Sequence, residues 1–297
     1  MRWRSVTVVC CALFLAGCGD QSREGEAVAA LPAGPEARAL RLPLDAYRVS
    51  ADESAMLDHA ADTLVETCMR GKGVPWTRLP RFHVDDALHR RRYGVIEEEA
   101  AKRFGYHPVR DPGELRKEQA WQARDDRLTS EEHVAAYGED GKSGCMRDGY
   151  VRVNQGAAEG ESRALRRLDQ ESYDASAKHP DVLSAFRKWS ACMREQGFSY
   201  SDPAEAVGDP RWRTPAPTGD EIRTAGADVR CKKRSSLVAV WSGVERELQE
   251  RGLREHRDQF AALADGKSRW LEDAESIISR RLPSQEPSSG GAGQSVQ

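Results

Sequence analysis

Cysteine is the residue whose chemistry in this chain depends most on its surroundings. The sequence contains seven cysteines, and the four beyond the first eighteen residues are Cys68, Cys145, Cys192 and Cys231. At three of these four, Cys-Met-Arg is followed within a few residues by glycine. A thiol can form a disulfide, bind a metal, act as a redox nucleophile or carry a lipid. Spacing and compartment decide among these chemistries.

The spacing of the four cysteines argues against a metal centre and against redox catalysis. They are 77, 47 and 39 residues apart, whereas zinc sites and thiol oxidoreductases use close pairs such as Cys-x-x-Cys. The seven histidines are scattered, with His83 and His89 among the closer pairs. The sequence therefore predicts four structural disulfide cysteines, and it predicts no metal ligand, no cofactor and no catalytic residue.

Four cysteines allow three pairings, of which we expect Cys68–Cys145 and Cys192–Cys231. The second bridge would join two successive helices connected by a proline-rich loop, a closure that antiparallel helices make easy. The first bridge then follows by elimination. Each would close a loop of tens of residues, which is worth about 4 kcal/mol in the chain-entropy account before strain is subtracted.

The start of the chain has the features of a bacterial lipoprotein signal. Two arginines precede an apolar run of about ten residues, which is too short to cross a bilayer as a mature helix. The run ends in Leu15-Ala16-Gly17-Cys18, which resembles a lipobox and implies cleavage before Cys18 and a diacylglycerol on its thiol. The alternative is an ordinary secretory peptide with an incidental cysteine. Cys10 and Cys11 leave with the signal peptide.

Cleavage would change the formal net charge from −3 to −5, because residues 1–17 carry two arginines and no acid. A mildly acidic chain with both signs mixed does not indicate a nucleic acid partner. No later stretch approaches the length of apolar sequence that a transmembrane helix needs. We therefore expect attachment to the extracytoplasmic face of the cell membrane through diacylglycerol on Cys18, with an envelope protein or the cell wall as a further partner.

Composition divides the chain into four parts. After the signal peptide of residues 1–17, residues 18–46 lack apolar periodicity and are rich in Gly, Ala, Glu and Pro, which predicts a flexible lipid-anchored linker. Residues 283–297 are rich in Pro, Ser and Gly and are predicted to form a disordered tail. Residues 47–282 are predicted to form the helical domain.

Helical periodicity dominates residues 47–282, and no stretch alternates as a strand does. Ser50 with Glu53 fits a capping box, and the apolar residues that follow predict a helix ending near Gly71. A second predicted helix runs from Pro180 to Gly197, with apolar residues every three or four positions.

The C-terminal part of the domain is predicted to hold the longest helix. Thr218 with Glu221 fits a capping box, and apolar residues continue toward one side through Leu248. Charged helix then continues to about Arg281, with an interruption near Gly266. The predicted fold class is therefore all-α: a disulfide-stapled, irregular helical bundle with a flexible N-terminal tether and a disordered C-terminal tail.

The repeated Cys-Met-Arg leaves open a twofold duplication of residues 50–145 and 180–231, each half with one bridge. Cys68 and Cys192 both close predicted helices, whereas Cys145 begins a segment. A threefold repeat is therefore not expected, and one domain or a twofold duplication both stay open.

Residues spread over most of the mature chain resemble a family of secreted actinomycete (Streptomyces-like) lipoproteins of uncharacterised function. The features that carry the resemblance are the lipobox at Cys18, Tyr93-Gly94, Phe104-Gly105-Tyr106, Trp189 to Met193 with Gly197-Phe198, Ala225, Ala227-Asp228, Cys231-Lys232 and Trp241. After Cys145 the family pattern has Glu-Ala, whereas this chain has Arg147-Asp148-Gly149, which weakens the prediction of a helix at this point. The resemblance implies the envelope location and the disulfides, and it implies no mechanism.

Motifs for phosphate chemistry are incomplete. Gly141-Lys142-Ser143 and Gly266-Lys267-Ser268 match the end of a phosphate-binding loop, but Ala136 and Ala261 stand where its first glycine belongs. No strand precedes either segment, so neither is a nucleotide site.

Acid clusters allow one catalytic hypothesis. Glu97-Glu98-Glu99, Asp125-Asp126 and Glu131-Glu132 could supply the carboxylate pair of a glycosidase acting on cell wall, although such charge usually marks a solvated helix face. The leading hypothesis is a surface-anchored cell-envelope lipoprotein with a non-catalytic binding or scaffolding domain. The alternative is an envelope glycan hydrolase. A solute receptor of a transporter would need two α/β lobes, which the periodicity disfavours.

Overall fold

The computed structural model of the protein describes residues 30–85, 87–156 and 159–280. Cys18, the predicted signal peptide of residues 1–17 and the predicted tail of residues 283–297 lie outside the described residues. Helices are the main secondary structure of the described ranges, and one isolated bridge is the β-type contact found there. The all-α prediction is therefore confirmed.

Twelve α-helices and two short 3-10 helices occur in the described part of the chain. In chain order the α-helices are α1 (Pro35–Ala39), α2 (Ala51–Gly71), α3 (Glu98–Phe104), α4 (Pro112–Asp125), α5 (Ser130–Tyr137), α6 (Cys145–Asn154), α7 (Glu159–Ala177), α8 (Pro180–Glu195), α9 (Pro203–Val207), α10 (Gly219–Arg234), α11 (Leu237–Glu255) and α12 (Arg257–Ser279). The 3-10 helices are Pro43–Tyr47 and Pro210–Trp212.

The predicted signals for helix ends form the expected hydrogen bonds. Before α2, the Ser50 hydroxyl accepts from the backbone N–H of Glu53 at 3.2 Å, and the Glu53 carboxylate accepts from the backbone N–H of Ser50 at 2.7 Å. Thr218 and Glu221 form the same reciprocal pair before α10. Each pair satisfies backbone donors that a helix leaves without partners at its start, so these boundaries were predictable.

Two packed regions make up most of the domain. In the first, α2 packs against α6 and α12, and its buried residues include Met56, Leu57 and Ala60. In the second, α8, α10 and α11 surround the fully buried Trp189, with α3 packed on α10 and α7 packed on α11. α12 connects the two regions, because it also contacts α7 and α11.

The folded domain begins before the predicted boundary at residue 47. Residues 30–46, which were predicted to belong to the linker, form α1 and part of a 3-10 helix, with Ala37 and Leu44 completely buried. The Leu44 N–H donates to the Gln249 side-chain oxygen of α11 at 3.1 Å. The linker prediction is wrong for these residues, because five-residue helices hold too few apolar positions to give a periodic signal.

The predicted long C-terminal helix is also wrong in its boundaries. It breaks between α10 and α11, where Ser236 has a φ of 53° and the Ser235 hydroxyl donates to the Cys231 carbonyl at 2.8 Å. α12 runs through Gly266 without the predicted interruption and ends at Ser279. Periodicity missed the break because α10 and α11 bury apolar residues in the same packed region.

Both predicted disulfide bonds are present. Cys68–Cys145 joins the last turn of α2 to the first residue of α6, and Cys192–Cys231 joins α8 to α10. The Cα atoms are 5.6 Å apart in each bridge. The first bridge joins the end of one helix to the start of another, whereas the second bridge joins the last turns of two helices. The two bridged units therefore do not repeat one arrangement.

The segment after Cys145 is helical although it departs from the family pattern. A Cβ atom added at Gly149 would lie 2.9 Å from Val65 Cγ2 and 3.0 Å from the carbonyl oxygen of Ala61. Glycine therefore allows α6 to approach α2 closely beside the Cys68–Cys145 bridge.

Candidate functional site

A buried ion pair lies in the packed region around Trp189. Asp228 and Lys232, one turn apart on α10, are 0% and 2% exposed, and Lys232 Nζ lies 2.9 Å from Asp228 Oδ2. Trp189 Nε1 donates to Asp228 Oδ1 at 2.9 Å, and Lys232 Nζ donates to the carbonyl oxygen of Val95 at 2.9 Å. Each charge is thus bonded to two partners, as stable burial of a charge requires.

The protein interior acts on these two charges in opposite directions. Burial raises the pKa of Asp228 and lowers the pKa of Lys232, because each charged form loses its hydration. Their mutual attraction and the hydrogen bond from Trp189 oppose that effect. Removing one partner of such a pair costs about 3–5 kcal/mol, because the other charge stays buried without compensation.

Gly94 leaves the space that the Lys232 ammonium occupies. Its φ is +77°, and a Cβ atom added there would lie 2.7 Å from Lys232 Nζ. Gly105, with a φ of +55°, is placed in the same way against the Glu221 carboxylate. The glycines of the two motifs that carried the family resemblance therefore both border buried charges of α10.

Glu221 is the second buried carboxylate of α10. It is fully buried, and its Oε1 accepts from the Tyr106 N–H and lies 2.7 Å from His107 Nδ1. His107 Nε2 lies 2.8 Å from the Thr214 carbonyl oxygen. Burial opposes the charged imidazole, but the hydrogen bonds to Thr214 and Glu221 outweigh burial and raise the pKa of His107 above its ordinary value. Because both ring nitrogens face acceptors, the charged imidazolium can donate two hydrogen bonds, which favours the protonated form.

Glu245 of α11 is a third buried carboxylate, and it binds the N-terminal segment to the domain. It pairs with Arg92, accepts from the Tyr93 hydroxyl at 2.8 Å and accepts from Gln249 Nε2 at 3.0 Å. The side-chain oxygen of Gln249 accepts a hydrogen bond from the backbone N–H of Leu44. Three separate parts of the chain therefore meet at one carboxylate.

An open groove lies beside the Asp228–Lys232 pair, between α1 and the junction of α10 with α11. We name it the α1–α11 groove. Its apolar lining includes Leu40, Ile96, Val229 and Val238, and its charged lining includes Glu36, Lys232, Lys233 and Arg246. An apolar groove with charged side chains in its lining is suited to hold a ligand.

A second, narrower cleft carries the carboxylates that the hydrolase hypothesis needs. It lies between α2, α4 and residues 79–84. Asp58 Oδ2 lies 2.6 Å from Lys117 Nζ, and Asp62 Oδ1 accepts from Arg124 Nη1 at 2.9 Å and from Trp76 Nε1 at 2.8 Å. Asp58 and Asp62 are one turn apart on α2, so they line the same wall, and each already binds a cation.

His59 lies in the same cleft. Its Nδ1 atom is buried and has no hydrogen-bond partner among the described residues. Burial lowers the pKa of His59, and the nearby charges of Arg81 and Arg78 lower it further. The imidazole is therefore neutral at pH 7 and can form a hydrogen bond with a small polar molecule.

The acid clusters of the sequence have structural partners. Glu97 is buried, accepts from the Gly34 N–H and binds Arg90, which fixes α1 to the start of α3. Glu132 caps α5, and Asp125 accepts from the Tyr137 hydroxyl at 2.7 Å. These acids hold helices in place. The sequence indicated a solvated helix face for the cluster that includes Glu97, but Glu97 is buried.

Sequence reasoning found the disulfide cysteines and missed the buried charges beside them. Lys232 follows Cys231 directly, and Asp228 lies one turn before Lys232 on the same side of the helix. The available signal was an acid and a base four residues apart within an otherwise small and apolar stripe. Cys18, the predicted lipidation site, lies outside the described residues.

Comparison with known proteins gives no family or relative from which a function could be inferred. No protein-family model, curated protein or solved structure matches it. Across the described residues, no three or more His, Cys, Asp or Glu side chains are grouped to hold a metal ion. None of the described helices combines the length and apolar character that spanning a bilayer requires.

Replacing Gly94 by alanine tests whether the Lys232 ammonium fixes this turn. Gly73 is the matched control, because its φ of +76° is nearly that of Gly94 but nothing lies within 4 Å of a Cβ atom there. We expect Gly73→Ala to lower the free energy of unfolding by about 1–2 kcal/mol through backbone strain alone. Gly94→Ala should cost about 3 kcal/mol or more, because Lys232 must also move. Equal losses in denaturant unfolding would contradict this account.

The raised pKa of His107 predicts a pH-dependent contribution to stability. The contribution is fully present below the unfolded-state pKa of about 6.5 and disappears as the pH rises through the higher folded-state value. The difference in unfolding free energy between the wild type and His107→Ala should therefore be largest below about pH 6.5 and should shrink as the pH rises above it. Replacement of the exposed His256 by alanine is the control. A constant His107 difference would show that the ring is not held as an imidazolium.

Proposed function

We propose that this protein is a cell-envelope lipoprotein, held on the extracytoplasmic face of the membrane by diacylglycerol on Cys18, whose helical domain binds an envelope partner without catalysing a reaction. Two disulfide bonds within one domain support an oxidising compartment, because cytosolic thiols are kept reduced. The lipobox-like Leu15-Ala16-Gly17-Cys18 supports the anchor.

The observation that carries the binding proposal is the α1–α11 groove on its rigid floor. Cys192–Cys231 joins α8 to α10 directly next to Lys232, and the Lys232 charge is fixed by Asp228 and Val95. A floor held in one geometry loses little conformational freedom when a ligand binds, so more of the contact energy contributes to affinity.

The alternative of a glycan hydrolase draws on the Asp58–Asp62 cleft. A glycosidase needs a carboxylic acid that donates a proton and a second carboxylate on the other side of the scissile bond. Asp58 and Asp62 share one wall, and Lys117 and Arg124 bind them. The groove therefore favours binding as the function of the domain.

The anchor can be tested by replacing one cysteine of the signal region at a time. Cys18→Ser should release the protein from the membrane fraction into the medium and abolish labelling by radioactive palmitate, because the acylated thiol is lost. Cys11→Ser is the matched control and should leave both unchanged, because Cys11 leaves with the signal peptide. Labelling of Cys18→Ser by palmitate at the wild-type level would disprove the lipid anchor.

Binding and hydrolysis can be separated with two measurements. Crosslinking on intact cells should join the wild-type protein to an envelope component, and incubation of the purified chain with labelled cell-wall fragments should release no label. Release above that of a heat-unfolded sample, lost in Asp58→Asn, would establish the hydrolase instead. Recovery of the protein with no crosslinked product would refute the binding proposal.

A further inference from the structure

The shape of the α1–α11 groove depends on the junction of α10 and α11. Ser236 forms this junction with a φ of 53°, and in the described part of the chain it is the one non-glycine residue with a left-handed backbone. Strained backbone of this kind concentrates at ligand sites. The groove has a volume of about 470 Å³, within the range for small-molecule sites.

The inner surface of the groove is hydrocarbon. Ile96 and Val229 form a floor that is 5% and 1% exposed, and the half-buried Leu40 and Val238 form its walls. Ala239 lies exposed at the mouth, where its small side chain leaves the entrance open. Apolar walls that stay partly exposed favour an apolar occupant, since each buried CH₂ group contributes about 0.8 kcal/mol.

The polar groups next to the hydrocarbon surface are bonded within the protein. Lys232 Nζ donates to Asp228 and to the Val95 carbonyl, and the Ser242 hydroxyl donates to the Ala239 carbonyl at 3.3 Å. An extended peptide would need free partners for its own backbone groups. An acyl chain needs none.

One cation of the groove lining has no acid partner. Arg246 Nη2 donates to the Arg41 carbonyl at 3.2 Å, and Arg246 has no carboxylate within salt-bridge distance among the described residues. Lys233 has Glu36 at 3.3 Å, but both side chains are largely exposed, so this pair neutralises little. A phosphate held at Arg246 would meet a guanidinium group that no acid already occupies.

We propose that the α1–α11 groove binds the acyl chain of an anionic membrane phospholipid, with its phosphate at Arg246. The inference rests on the proposed function, because it names the ligand class of the same site. Eleven residues lie between Cys18 and Ala30, where the described chain begins, so this stretch can extend at most about 40 Å. The lipid-anchored N-terminus therefore keeps α1, one wall of the groove, close to the membrane surface.

The test uses the full chain carrying Cys18→Ser, so that the protein's own lipid is absent. Dioctanoyl phosphatidylglycerol, kept below its micelle concentration, is titrated into this protein by calorimetry. We expect saturable binding of one lipid per chain. Dioctanoyl phosphatidylcholine, which has no net charge, and glycerol 1-phosphate, which has no acyl chain, should each bind at least about tenfold more weakly.

Two variants locate the ligand. Ala239→Trp should close the mouth of the groove, and Arg246→Glu should repel the phosphate, so each should weaken binding at least about tenfold. Both positions are exposed, so the fold should be kept, which the thermal unfolding midpoint checks. Ala261→Trp, on an exposed face of α12, is the matched control and should bind as the parent does.

The outcomes separate this inference from the proposed function. Absence of phosphatidylglycerol binding, equal binding of glycerol 1-phosphate, or equal binding by Ala239→Trp would each overturn the phospholipid site. Failure of the anchor or of crosslinking on cells would overturn the proposed function, even where the purified chain binds lipid. An acidic peptide partner would be indicated instead if a crosslinked envelope protein were displaced by Ala239→Trp while phosphatidylglycerol did not bind.

Discussion

The constraint on which the larger packed region depends is the burial of the Asp228–Lys232 pair. A buried ion pair is tolerated only when every remaining donor and acceptor finds a partner, and here those partners come from Trp189 and the Val95 carbonyl. These requirements fix the position of α8 and of the turn after Tyr93 relative to α10. They also explain why a residue without a side chain stands at Gly94. Apolar packing alone would not specify this arrangement, because many hydrophobic side chains of similar volume can fill the same space.

Buried carboxylates that are paired with cations also occur elsewhere in the domain. In the described residues, buried carboxylates are paired with cations at five places: Asp228 with Lys232, Glu221 with His107, Glu245 with Arg92, Asp62 with Arg124, and Glu97 with Arg90. The pairs of Glu221, Glu245 and Asp62 join segments far apart in the chain. Charged residues make up 31% of the sequence, so a helical domain of this composition cannot rely on a wide apolar face in every helix. Buried charge pairs and two disulfides define positions that the apolar residues leave loosely determined.

The parts of the fold that could be predicted are those set by neighbouring residues. The Ser50–Glu53 and Thr218–Glu221 caps are local hydrogen-bonding patterns, and the pairing of Cys192 with Cys231 follows from two helices close in sequence. The break at Ser236 could not be predicted from the sequence, because the apolar pattern continues across it. The packing of residues 30–46 onto the domain could not be predicted from the sequence either, because its cause is contact with Glu97 and Gln249. The groove combines both features, so neither its shape nor its charge was visible in the sequence.

The hydrogen bond from Leu44 to Gln249 spans 205 residues, and the contact of Glu36 with Lys233 spans 197. Contacts of such sequence separation form late, because a long loop must close before they contribute any stability. The contacts of α1 and Leu44 with α10 and α11 must therefore wait until those helices are synthesised, although Gly34 can bind Glu97 earlier. One wall of the α1–α11 groove is synthesised early and the opposite wall late, so the groove exists only once synthesis of the domain is almost complete.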